Sequence, residues 1–123
     1  MSPKKQKDRE PEQPLTPAMF HVLLSLADGE KHGYAILKEV AHRTDDKVRL
    51  SAGTLYGIIK RLLAEGMIVE TDERPARALD DERRRYYRLT RFGVKVAMAE
   101  AERLEGLLAM ARAKNLLRGA ELA

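Results

Sequence analysis

Cysteine is missing from this chain altogether, tryptophan is missing too, and phenylalanine occurs only twice. Without a thiol there is no disulfide, no thiolate nucleophile and no thiolate metal site. No segment is apolar over the roughly 20 residues needed to cross a bilayer. The N-terminus, although basic, lacks the apolar stretch of a secretory signal. The expected location is the cytoplasm, with no membrane association. Histidine is scarce: His21, His32 and His42 are the only side chains suited by their ordinary pKa to proton transfer near neutral pH. None has a nucleophile or an orienting carboxylate at motif spacing. The acidic run Asp80-Asp81-Glu82 lacks the glycine and the alternation of a calcium loop, and no other cluster has ligand spacing. These absences point to a protein that is not an enzyme and that carries no metal or cofactor.

Hydrophobic residues make up 44% of the 123 residues and charged residues 34%, with a formal charge of +4. That is enough apolar material for one modest core plus an appendage, and the positive balance favours a polyanionic partner. Residues 1–14 mix Lys4, Lys5, Lys7 and Arg9 with Asp8, Glu10 and Glu12, and hold no apolar residue after Met1. They are expected to form a disordered arm.

Thr16 followed by Pro17 opens a first helix that should end near Asp28-Gly29, with Phe20, Leu23, Leu24 and Ala27 inward. A second helix is expected over 32–43 with Ile36, Leu37, Val40 and Ala41 inward, ended by Thr44-Asp45-Asp46. Ser51 caps a third, running to about Glu65, with Leu55, Ile58, Ile59 and Leu62 inward and Gly66 as its stop. Residues 67–71 and 83–89 read as two strands of a hairpin around a charged loop. On the second strand Tyr87 and Leu89 belong to the inward face. From Arg91 onward Val94, Ala97, Ala101, Leu104, Leu108 and Ala111 alternate at three- and four-residue spacings, the seam of a helix that pairs with another. Gly106 within it costs about 1 kcal/mol relative to alanine, which a packing partner must offset.

Three helices followed by a hairpin is the order of a winged helix, in which the third helix enters the major groove of DNA. The expected architecture is mainly α with a small β-hairpin: a winged helix-turn-helix over 15–90, a C-terminal dimerisation helix over 91–118, and a tail over 119–123. At 100° per residue, the face of the third helix opposite Leu55 and Ile59 carries Gly53, Gly57, Lys60 and Ala64, flanked by Thr54, Tyr56 and Arg61. It holds no carboxylate until Glu65. Small residues let a helix axis approach base edges, and hydroxyl, ammonium and guanidinium groups donate to phosphate. Ser51 and the N–H groups beside it could hold a phosphate at the helix start. Against this, Gly53 and Gly57 would equally let another helix pack closely, with Tyr56 half-buried. Arg84, near the hairpin base, suits a contact with the DNA backbone, although a run of arginines beside Asp80, Asp81 and Glu82 also reads as a solvated face. The candidate DNA-binding set is therefore Ser51, Gly53, Thr54, Tyr56, Lys60, Arg61 and Arg84. The alternative function is a winged-helix adaptor that binds proteins through its long helix and not DNA.

With these residues in view, the sequence resembles the PadR family of bacterial transcriptional regulators. The likeness rests on four stretches in order: Leu15-Thr16-Pro17, His32-Gly33-Tyr34-Ala35-Ile36, Gly53-Thr54-Leu55-Tyr56, and Arg85-Tyr86-Tyr87-Arg88-Leu89-Thr90. The resemblance implies a winged-helix DNA-binding domain and homodimerisation through the C-terminal helix, as in the shorter members. It also implies repression of nearby genes, relieved when a small-molecule effector binds. A dimer of this kind would read an inverted-repeat operator in double-stranded DNA. By the same resemblance, Tyr56 and its neighbours face DNA and Tyr34 lies near the surface. Two departures stand out: Gly57 occupies a position where many members have proline, and the loop over 72–82 is longer and more acidic than usual. The few aromatic rings argue against a drug pocket built by stacking, and leave Met98, Leu104 and Leu108 as contacts for a bulky apolar ligand.

Overall fold

A computed structural model describes residues 14–71 and 85–117. The expected N-terminal arm up to residue 13, the loop over 72–82, Arg84 and the tail over 119–123 lie outside the described residues. The elements run α1 (Pro17–Ser25), β1 (Lys31–His32), α2 (Gly33–Arg43), α3 (Ala52–Ala64), β2 (Ile68–Thr71), β3 (Tyr86–Leu89) and α4 (Arg91–Ala113). Each α-helix starts where a side chain can accept an orphan N–H: Thr16 from Met19, His32 from Ala35, Ser51 from Thr54 and Thr90 from Gly93. The use of an imidazole as the cap of α2 is the unusual case.

Met19, Val22, Leu23 and Leu26 from α1, Ile36 and Val40 from α2, and Leu55, Ile59 and Leu62 from α3 form the core with Met67, Ile68, Tyr87, Phe92 and Val96. The sheet is three-stranded and antiparallel, in the order β1-β3-β2. Tyr86 pairs with His32 on one side and Thr71 on the other, and Tyr87 with Lys31 and Glu70. The hairpin expected from the sequence thus gains a third strand, two residues long and too short to leave a periodic signal. Tyr87 is buried and Leu89 packs on the core, as the alternation required.

Two expectations are corrected. The inward face of α1 is set one residue earlier than Phe20, Leu24 and Ala27, so those three stand about 100° away on the surface side, with Leu24 40% exposed. Apolar residues cover so much of α1 that two faces fit its spacing, and the helix stops at Ser25, which leaves Ala27 in a turn. The last helix ends at Ala113 and not near 118. Asn115 takes a left-handed conformation (φ 62°), and the N–H groups of Asn115 and Leu116 close on the carbonyls of Arg112 and Ala111.

The same terminal device closes α3. Gly66 is left-handed (φ 77°) and donates to the Leu63 carbonyl, while Met67 donates to that of Leu62. Leu62 and Met67 are both fully buried, which supplies the apolar contact that accompanies this motif. Onto this turn α4 is fastened. Thr90 N–H donates to the Met67 carbonyl (3.0 Å) and its hydroxyl to the Gly66 carbonyl (2.6 Å), while the same hydroxyl accepts from Gly93 N–H (3.0 Å). A Cβ added at Gly93 would collide with the Met67 carbonyl. Gly93→Ala is therefore expected to destabilise the fold by roughly 2–3 kcal/mol, since backbone cannot yield as a flexible side chain can. Chemical denaturation checks this, and a stability equal to the parent would show that the turn can shift.

On the far side, Arg43 of α2 reaches α1: its guanidinium donates to the His21 carbonyl (3.2 Å) and pairs with Glu39 (2.5 Å). Partial burial, and then the Arg43 charge, hold the His21 imidazole below its ordinary value of 6.5. The folded state thus favours neutral His21. As pH falls through 6.5 the unfolded chain takes up a proton that the folded chain resists, and stability falls with it. The Asp28 carboxyl, held low chiefly by its hydrogen bond from Lys31, responds only in more acid solution. Melting curves across this range should show His21→Gln losing less stability on acidification than the parent; equal losses would place the proton uptake elsewhere.

Candidate nucleic-acid interface

The exposed side of α3 is built by subtraction. Leu55, Ile59 and Leu62 bind the helix to the core, and Gly53, Thr54, Tyr56, Gly57, Lys60 and Ala64 are left exposed. Nothing lies within 4 Å of where a Cβ would stand on Gly53 or Gly57. Among the described residues, then, no helix uses these glycines for close packing, which was the competing reading of them. Two glycines on an open helix face cost stability and leave a strip of bare backbone.

At the start of the helix, Ser51 is occupied: its hydroxyl accepts from Thr54 N–H (3.0 Å) and donates to the Thr54 hydroxyl (3.0 Å). Thr54 therefore keeps its own hydroxyl proton for an outside acceptor. The positive end of the helix macrodipole is exposed beside it. Tyr56 is 45% exposed, with its hydroxyl 2.7 Å from where a Cβ on Gly33 would stand, so it lies over the first turn of α2.

Arg61 does not join this surface. Its Nε pairs with Glu65 (2.7 Å) and its Nη1 contacts Met19 Sδ (3.0 Å), which turns the half-buried side chain towards α1. At about 80° from Gly53 round the helix it stands at the border of the exposed strip, and the carboxylate one turn on decided its side. Arg84 lies outside the described residues. Its neighbour Arg85 is exposed and pairs with Glu70 across the sheet (3.2 Å). Among the described residues no three His, Asp or Glu side chains gather as a metal ion would require.

A second surface runs along α4. Its 23 residues span about 34 Å at 1.5 Å per residue, yet only Phe92, Gly93 and Val96 are buried, all in its first two turns. Of the seam residues, Ala97 packs partly on the core, Leu104 and Ala111 are half-exposed, and Val94, Ala101 and Leu108 are exposed. Met98, Leu107 and Met110 stand open beside them at 57%, 47% and 57%. Phe20 and Leu24 of α1 and Ala27 in the turn after it, the three displaced from the core, join Val94, Ala97 and Met98 around an apolar cleft of about 210 Å³. The sequence had placed those α1 residues in the core, so the cleft had no signal of its own. Among the described residues, no helix is long and apolar enough to cross a membrane.

Comparison with known proteins gives these two surfaces a context. The family model described as the transcriptional regulator PadR-like family matches residues 22–99. A transcriptional regulator of Mycobacterium tuberculosis is 36% identical over 84 residues, which is 68% of this chain and 71% of that protein. A solved transcriptional regulator from Clostridium thermocellum superposes with a TM-score of 0.63 at 28% identity, covering 75% of this chain and 84% of that one. Bacillus subtilis PadR, solved in complex with operator DNA, superposes with a TM-score of 0.60 at 20% identity over 70% of this chain and 47% of its own, a likeness of fold.

The glycines supply a test with two readouts of opposite sign. Gly53→Ala and Gly57→Ala should each stabilise the free protein by about 0.5–1 kcal/mol, because alanine is the better helix former and both positions are open. If the strip approaches nucleic acid, the same changes should weaken duplex binding. Alanine variants that melt higher and bind as well as the parent would remove the glycines from the interface.

Proposed function

Because the chain belongs to the PadR-like family of transcriptional regulators, we propose that it acts as a homodimeric repressor that binds an inverted-repeat operator through α3. Regulation of transcription, and not catalysis, is the activity of this family. The observation that carries the DNA reading is the open, carboxylate-free face of α3, where Gly53 and Gly57 bare the backbone and Lys60 has no ion pair among the described residues. In the major groove such a face meets base edges, with Thr54, Tyr56 and Lys60 as donors to phosphate or base, and Ser51 holding the helix start in shape. That Bacillus subtilis PadR has this fold and was solved on operator DNA supports the same use here.

The dimer reading rests on α4. Its outer half projects from the domain with Leu107, Leu108 and Met110 in water, and a second copy of the helix laid along the seam would cover them. A two-fold axis through paired α4 helices would present the α3 helices to half-sites about 34 Å apart, one turn of duplex. The clasp of Thr90 and Gly93 on Gly66-Met67 ties each α3 to its own α4, so a change in helix crossing would move the reading heads. A small apolar effector in the cleft of α1 and α4 would act by favouring one crossing over another.

Two variants separate the parts. Lys60→Ala should keep the dimer, weaken duplex binding and flatten its dependence on log salt by about 1, the loss of one phosphate contact. Leu108→Asp should leave the fold intact, since the side chain is 51% exposed, and yield a monomer in sedimentation that no longer holds operator DNA. The first experiment is binding of the parent to DNA from its own upstream region across several salt concentrations, with an unrelated duplex as competitor. Failure to bind either duplex at low salt would sink the DNA reading in favour of an adaptor.

A further inference from the structure

Resting on the reading that α3 enters the major groove, we infer that Thr54 is a specificity-determining residue that selects thymine, setting its methyl group against the C5 methyl of that base and its hydroxyl on O4. From Ala52 to Ala64 the helix has no asparagine or glutamine to pair with adenine, and its single arginine, Arg61, is engaged by Glu65 and Met19. The two-pronged readings of adenine by an amide and of guanine by a guanidinium are therefore closed to α3. Lys60 stands about 9 Å further along the axis than Thr54, at 1.5 Å per residue. Tyr56 leans over Gly33 of α2. In the first turn that leaves Ala52, Gly53 and Thr54, all exposed, of which only Thr54 carries both an apolar and a polar group.

The Thr54 side chain is held in one orientation. Ser51 donates its hydroxyl proton to Thr54 Oγ1 at 3.0 Å and accepts the Thr54 N–H at 3.0 Å. Because both branches sit on Cβ, holding Oγ1 also fixes the methyl group. The hydroxyl proton of Thr54 has no acceptor among the described residues and is available to an outside oxygen. A threonine side chain is too short to reach a base edge unless the helix backbone comes close. Gly53 before it and Gly57 one turn on permit that approach, since neither adds a side chain and nothing lies within 4 Å of where a Cβ would stand on either. In the major groove guanine and adenine also offer acceptors and cytosine offers a donor, but only thymine sets a methyl group beside its acceptor O4. A fixed methyl group and an available hydroxyl proton on one Cβ complement that pair.

The test selects duplexes from a random pool with the full parent chain. Binding is then measured to the selected duplex and to copies with deoxyuridine in place of single thymines, which removes one methyl group and keeps O4. One thymine in each half-site should respond, its change to deoxyuridine weakening binding by about four-fold per half-site, the worth of one buried methyl group. Thr54→Ser keeps the hydroxyl that pairs with Ser51 and loses the methyl group. It should melt as the parent does, bind the thymine duplex as weakly as the parent binds the deoxyuridine duplex, and bind both alike. Thr54→Val keeps a methyl group and should retain the deoxyuridine penalty. If no deoxyuridine position weakens binding, or if the penalty is undiminished in Thr54→Ser, the role of Thr54 is overturned and the α3 reading stands. A parent that binds duplexes at low salt but enriches none from the pool overturns the selection of thymine and leaves only non-specific binding. A parent that binds no duplex removes the inference together with the DNA reading.

Discussion

The structure hangs on the contact between the first turn of α4 and the turn that ends α3. Two left-over backbone carbonyls, those of Gly66 and Met67, accept from Thr90, and the absence of a side chain at Gly93 lets α4 come against the Met67 carbonyl. Helix ends leave carbonyls that must be satisfied or solvated. Here Gly66 and Met67 close the end of α3 with their N–H groups, and their own carbonyls are taken by the residue that caps α4. The consequence is geometric: the exposed face of α3 and the seam of α4 belong to one rigid arrangement, with β2 and β3 spanning the same junction.

Charge is sorted in the same spirit. Arg43 and Lys31 are spent on fastening α2 to α1 through Glu39, Asp28 and the main chain around Ser25, and Arg61 on fastening α3 to α1. Those pairs lie on the side where the helices meet. Lys38 and Lys60, without carboxylate partners among the described residues, lie on the outer faces of α2 and α3. On α2 and α3, then, ion-paired cations lie where the helices meet and Lys38 and Lys60 lie where a polyanion could approach.

Much was legible in the sequence because its signals are local. Thr16, Ser51 and Gly66 mark helix ends through hydrogen bonds reaching three to five residues away, and the 3.6-residue period of α3 names its buried and open faces without help from the rest of the chain. Phe20, Leu24 and Ala27 were not placed, because a helix with apolar residues on two adjoining faces does not say which one the domain will take. Arg61 was not placed either, since its position at the border of the strip left the choice to Glu65 and Met19.

The sequence by itself determined the order of the four helices and the hairpin, the caps at Thr16 and Ser51, the inner face of the second hairpin strand, the glycine-bearing face of α3 and the apolar spacing along α4. Each is a matter of short-range hydrogen bonding or of a periodic apolar pattern. Only the tertiary structure decided that Lys31-His32 adds a strand beside β3, that Gly93 is a contact point, and that Tyr34 and Lys38 share a surface with Tyr56. These depend on residues far apart in the chain meeting at van der Waals distance, where one missing Cβ or one carboxylate within reach outweighs any local preference.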